Sequence, residues 1–381
     1  MRILYITYGS QSGVVNTLAE QLRIKANYET HIVNILEKHN YRYNRIKFPR
    51  LSIFNVINTL SSLRQFGKGW KDGYFRTDYA FDQMSRYAAT VIQNEKMYDL
   101  ILQSGVIFSP PLEVIRKPYV LGILDNTYLI GKLGRRRPKG IQLSDEFVKA
   151  ETETYQRADL ILVMSRHVKE SLVEDYKINP EKVIVTGAGP NVEPDKNYSP
   201  KEQKFRSKKI VMIAKEFKRK GGEELLSAFE LIKSNHPESR LVIIGEKAKA
   251  SDDRVEFRGL LGGDEIKREL EDANLYVMPS HKEPFGLALI EAMAFHTPCI
   301  GTDIEAMPEI VEDGETGFLI EPGNVTQLAE RIGYILGNPK LAQAMGNAGF
   351  ERYRNNFSWE VVTSKVLRHF DEILKKGPTK S

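Results

Sequence analysis

At 381 residues the chain is too long for one ordinary core and suits two domains. Its 41% apolar content is ordinary, and no run approaches the roughly 18 apolar residues of a membrane span. A net charge of +5 without zinc-ligand clusters, RNP motifs or long basic tracts argues against a nucleic-acid partner.

The first half alternates short β-rich runs with helical stretches, the pattern of an open parallel sheet. Residues 3–7 read as a strand rather than the apolar core of a secretory signal. The loop Tyr8–Gly13 follows, then a helix over 14–25 with apolar spacing at Val15, Leu18, Ala19 and Leu22. Residues 41–80 intersperse basic and aromatic side chains, among them Arg42, Lys47, Arg64, Lys68, Trp70 and Arg76, with few acidic ones. Such a stretch is either a solvated insertion packed by its aromatics or a surface for an anionic acceptor or membrane headgroups, to which Arg135–Arg137 would add. Strands are expected at 100–103 and at a run ending in Asp125, a carboxylate where open α/β sheets bind ligands. Helix, strand and helix follow, with Ser165 as N-cap of the second helix. After a strand and the loop around Gly187, residues 192–208 lack apolar periodicity and read as an interdomain linker.

The second half opens with a strand at 210–214 and the stretch AKEFKRKGGEELL, which carries Lys215, Arg219 and Lys220. Core strands follow at 241–245 and 255–259, then the turn Gly259, Leu260, Leu261. The most informative stretch is 279–311, PSHKEPFGLALIEAMAFHTPCIGTDIEAMPEIV. It reads as the end of a strand at 275–278, a tight loop with Glu283 and Pro284, and a helix from about Gly286 to Phe295. The free N–H groups of Phe285, Gly286 and Leu287 and the positive end of the helix macrodipole make an anion site. A phosphate there would lie about 7–8 Å along the axis from Glu291, a span suited to a carboxylate on the ribose of a nucleotide diphosphate. Helices close the chain at 327–336 and 359–375, and the single cysteine, Cys299, points to a reducing cytosol.

Glu283 and Glu291 resemble the E-x7-E motif of the retaining glycosyltransferases of family 4, and the similarity continues through TPCIG, EAMPEIVEDGETGFLIEPGN and NNFSWEVV. The resemblance implies an α/β GT-B fold: two Rossmann-like domains facing across a cleft, with the C-terminal helix crossing back to the N-terminal domain. Residues 1–195 with 359–381 would form the acceptor-binding domain and 206–358 the nucleotide-sugar domain. QSGVVNTLAEQL is similar to the family's glycine turn, in which the residue matching Gly13 touches the donor phosphates; Ser12 and Thr17 replace a glycine and a histidine. Asp125 matches the aspartate of the family's His-Asp strand end, but Leu124 stands in place of the histidine near the reaction centre. Lys215 takes the family's arginine position and Lys220 its lysine position, with Arg219 an alternate. The turn 259–261 is similar to the place where the family holds the nucleobase.

The expected activity is therefore retaining transfer of a hexose-type sugar from a UDP- or GDP-linked donor to an acceptor hydroxyl of a glycan or lipid-linked compound. No cofactor is expected, and with no D-x-D in the chain, no metal. Glu283, Lys215, Lys220 and Asp125 are the expected catalytic group; Gly13, Arg219, Gly259–Leu261, Pro284–Leu287 and Glu291 are the expected donor contacts. The expected location is cytoplasmic, with peripheral membrane contact through 41–80. A GT-B phosphorylase and a catalytically silent nucleotide-sugar-binding protein are the alternatives. The Gly9-to-Gly13 spacing fails the dinucleotide fingerprint of an NAD-dependent oxidoreductase.

Overall fold

A computed structural model describes residues 1–8, 13–26, 28–36, 53–125, 127 and 143–377. Ser12, Asn126, Arg135–Arg137 and the 41–52 part of the basic–aromatic stretch lie outside the described residues. The chain divides into two compact units. Unit 1 is Met1–Gly187 with Thr363–Ser381, and unit 2 is Ala188–Val362.

Unit 1 is built on a six-stranded parallel sheet. Its strands are β1 (Arg2–Thr7), β2 (Glu29–Asn34), β3 (Leu100–Ser104), β4 (Tyr119–Leu124), β5 (Leu160–Val163) and β6 (Val183–Val185), in the order β2-β1-β3-β4-β5-β6. Strands β3, β4 and β5 are buried along their whole length, and β4 and β5 are the unbroken apolar runs that a sheet covered by helices on both faces requires. Around it lie α1 (Val14–Ala26), α2 (Ile53–Phe66), α3 (Asp78–Asn94), α4 (Asp145–Arg157) and α5 (Arg166–Glu174). Short polar side chains start three of them: Thr77 accepts from Ala80 N–H, Ser144 from Phe147 N–H and Ser165 from Val168 N–H. Near the end of β4 the register with β5 shifts, and Ile123 adopts φ 41°, a costly conformation for a β-branched residue.

Unit 2 repeats the plan with β7 (Lys209–Ile213), β8 (Arg240–Ile244), β9 (Val255–Gly259), β10 (Leu275–Met278), β11 (Cys299–Thr302) and β12 (Gly317–Ile320). All pairings are parallel, in the order β12-β11-β10-β7-β8-β9. Counted from β7 this is the 3-2-1-4-5-6 order of a Rossmann domain, and the order reverses between β7 and β10. Its helices include α6 (Gly222–Ile232), α7 (Gly263–Glu271), α8 (Leu287–Ala294), α9 (Val325–Gly337) and α10 (Pro339–Arg352), whereas the last helix, α11 (Trp359–Lys376), belongs to unit 1 from Thr363 onward. Cys299 is fully buried on β11.

Residues 192–208 differ from a linker. They belong to unit 2, contain a 3-10 turn over Glu202–Arg206, and bury Phe205 in its core. The buried Lys204 amine donates to the carbonyls of Leu270 and Glu271 at the end of α7. One anchoring aromatic and one capping amine order a stretch without periodicity, which a periodicity argument does not detect.

Candidate active site

Two loops leave the C-terminal ends of β7 and β10, the neighbouring strands where the sheet order reverses. In an open α/β sheet that position opens a crevice for a ligand. The first loop holds Lys215, Arg219 and Lys220; the second holds Glu283 and leads into α8. They approach very closely. Gly221 has φ 78°, and a Cβ there would stand 2.0 Å from the carbonyl oxygen of Pro279, so only glycine lets the two backbones meet. His281 N–H donates to Arg219 O at 3.0 Å, and the Arg219 guanidinium donates to Lys282 O.

This contact brings the charged groups together. Glu283 is 8% exposed and takes an ion pair from Lys220 Nζ, with Arg219 Nη1 at 3.7 Å from the same carboxylate oxygen. Glu283 N–H donates to Glu305 Oε2 at 2.6 Å. The Lys220 amine also lies 3.4 Å from Met278 Sδ. Arg219 is held from its outer side by Glu216 at 2.6 Å, which lowers the Glu216 pKa. A buried carboxylate needs a paired cation, and here the pair joins the two loops.

Helix α8 starts immediately after this pair. Gly286 is its N-cap, with φ 104°, and Phe285 is buried behind it. Among the described residues no acceptor meets the N–H groups of Phe285, Gly286 and Leu287. Glu291 lies farther along α8 and is only 6% exposed. It accepts from Asn191 N–H at 3.1 Å. Burial pushes its carboxyl up to about 7, opposed by the Asn191 hydrogen bonds and the charge of Lys220.

Arg219, Lys220, Glu283 and the start of α8 thus form one cluster, with Glu291 inside the same helix. Lys215 is exposed at the end of β7 and with Arg219 lines a cavity of about 840 Å³ between α6, β9 and the 246–252 loop. Gly259, with φ 66°, lies beside the Lys247 side chain; Leu260 is 59% exposed. Gly13 precedes α1 and Asp125 follows β4, both in unit 1. Asn191 carries no motif signal, and Glu305, though it heads the EAMPEIV stretch, is not among the expected site residues. Asn191 donates its backbone N–H to Glu291 and the Glu305 carboxylate accepts from the backbone N–H of Glu283, and only the folded chain brings these groups together. Among the described residues no cluster of three His, Cys, Asp or Glu is arranged to hold a metal ion.

Residues 194–352 match the family model described as Glycosyl transferases group 1. The chain is 26% identical over 240 residues to the capsular polysaccharide biosynthesis glycosyltransferase CapM of Staphylococcus aureus, covering 58% of this chain and 63% of that protein. It is 32% identical over 160 residues to a glycogen synthase of Mycobacterium tuberculosis, 39% of each. The chain therefore spans less than two thirds of these curated relatives. Among solved structures, the sucrose-phosphate synthase of Thermosynechococcus elongatus superposes with a TM-score of 0.69 at 19% identity, over 98% of both chains. HepE of Anabaena, solved with UDP, superposes with 0.67 at 17%, over 98% of this chain and 100% of that one. The chain has the two-domain α/β GT-B fold, and most of its second unit matches the group 1 glycosyl transferases.

Proposed function

We propose that this protein is a retaining, metal-independent glycosyltransferase of the family 4 type. It moves a hexose from a UDP- or GDP-linked donor to a hydroxyl of a glycan or lipid-linked acceptor. The observation that carries the reading is the buried Lys220–Glu283 pair at the sheet's switch point, directly before the uncapped start of α8. The diphosphate sits on the N–H groups of Phe285, Gly286 and Leu287, with Lys220 and Arg219 alongside; Lys215 adds charge from the end of β7. Glu283 holds the ring hydroxyls of the sugar and Glu291 the ribose. As the C1–O bond to the diphosphate breaks, the acceptor oxygen bonds C1 on the same face, and its proton passes to the departing phosphate oxygen. Charge growing on that oxygen is met by cationic side chains already in place, which cost no reorganisation. Solved neighbours in complex with UDP or UDP-glucose support a uridine-linked donor.

Glu283→Gln should cost mainly kcat, and Glu291→Ala mainly donor affinity; the reverse split would refute these roles. A thermal-shift screen against UDP-, GDP- and ADP-sugars identifies the donor, because a ligand that binds only the folded state raises its stability. Leu124 in the family's histidine position favours one second reading, a silent nucleotide-sugar-binding protein. It would show the thermal shift with no release of free nucleoside diphosphate.

A further inference from the structure

Helix α2 is packed with its polar side inward. Its buried residues are Phe54, Asn55, Asn58 and Ser62. Asn58 Nδ2 donates to Tyr74 O at 2.7 Å, Tyr74 O–H to Asn55 Oδ1 at 2.9 Å, and Ser62 Oγ to Trp70 O at 2.6 Å. Thr77 O–H closes this buried network on Asn58 Oδ1. These bonds fix which side of α2 faces the protein, since turning the helix would leave buried polar groups without partners.

The opposite side is aliphatic and open. Ile53 is 81% exposed, Val56 46%, Ile57 40%, Leu60 63% and Leu63 43%. At 3.6 residues per turn these five, with Arg64, fall within an arc of about 120°. Isolated surface leucines need no explanation, but an unbroken stripe of this kind marks an interaction surface. The exposed side chains of Arg64, Lys68, Lys71 and Arg76 follow in sequence, and 53–77 holds four basic residues against one acidic, Asp72. Lys71 Nζ lies 5.7 Å from the Trp70 ring.

We propose that this face of α2 is a docking surface for an anionic lipid bilayer, with the helix lying flat in the interface. At 14 residues α2 is about 21 Å long, too short to span a bilayer. The aliphatic stripe enters the acyl boundary while the basic residues stay at headgroup level, where each is attracted to anionic lipid. A protein partner with a complementary apolar face would not by itself call for the cations, and their charge selects the bilayer. The inference does not rest on the transfer reaction and is tested without turnover.

The test is co-sedimentation of the full chain with vesicles of phosphatidylcholine alone and with about 30% phosphatidylglycerol, at low and high salt. Binding should need the anionic lipid and weaken at high salt. I57N/L60N should lower the partition coefficient at least about tenfold with an unchanged melting temperature, because both side chains face solvent. R64E/K68E should abolish the preference for anionic lipid. No binding to anionic vesicles, or binding that I57N/L60N leaves intact, would overturn the proposal. So would concentration-dependent self-association that I57N/L60N abolishes in a chain that ignores vesicles, which would make a second copy the occupant.

Discussion

Replacing Glu291 with glutamine keeps the shape of the side chain and the oxygen that accepts from Asn191, but removes the charge. In the folded protein burial holds this carboxyl at about 7, against an ordinary 4.5 in the unfolded chain. Between those values the folded state keeps a proton that the unfolded state has lost, so stability falls as pH rises and levels off above pH 7. The rise from 4.5 to about 7 is worth about 3 kcal/mol at pH 8 and less than about 1 kcal/mol at pH 5. Glu291→Gln should therefore stabilise the ligand-free protein by about 3 kcal/mol at pH 8 and change it little at pH 5. Urea unfolding at the two pH values, followed through the transition of unit 2, measures the difference, and other titrating groups cancel between variant and wild type. Equal effects at both pH values, or destabilisation at pH 8, would refute a buried ionised carboxylate. The same variant should bind donor more weakly, so stability and affinity move in opposite directions.

Gly221→Ala should destabilise the protein by at least about 2 kcal/mol, because it adds left-handed strain to a Cβ placed 2.0 Å from Pro279 O; a melting temperature within 1 °C of wild type would exclude that contact. Lys204, pushed down to about 7 by burial, is neutral in the folded protein over a range where the unfolded chain keeps it charged. Stability should therefore rise with pH between about 7 and 10.5, by up to about 1.4 kcal/mol per unit, and Lys204→Met should flatten that slope. An unchanged slope in the variant would assign the pH dependence elsewhere.

Central strands were legible because they are unbroken apolar runs between glycine and polar turns, as in YVLGIL and LILV, whereas the edge strand β2, ETHIVN, has no such run and is not among the expected strands. The helix after Gly286 was legible for a similar reason, its glycine start and apolar body lying together in sequence. What escaped depends on contacts distant along the chain. Asn191 meets Glu291 across 100 residues through its backbone N–H, which leaves no mark on side-chain identity, and the Glu305 carboxylate accepts from the backbone N–H of Glu283 across 22, a pairing that spacing alone does not show. Likewise α2 has the spacing of an amphipathic helix, but spacing does not say which side faces in, and here the polar side does.

Cys299 is the only sulfhydryl in the chain, fully enclosed on β11, with its thiol pushed well above the ordinary range by burial. A thiolate is the reactive form, so in the native protein this group should ignore alkylating reagents and react only when unit 2 opens. The chain thus carries a silent clock for the opening of its second half. A cysteine introduced on the outer side of α2 would in turn be the sole handle for a fluorophore.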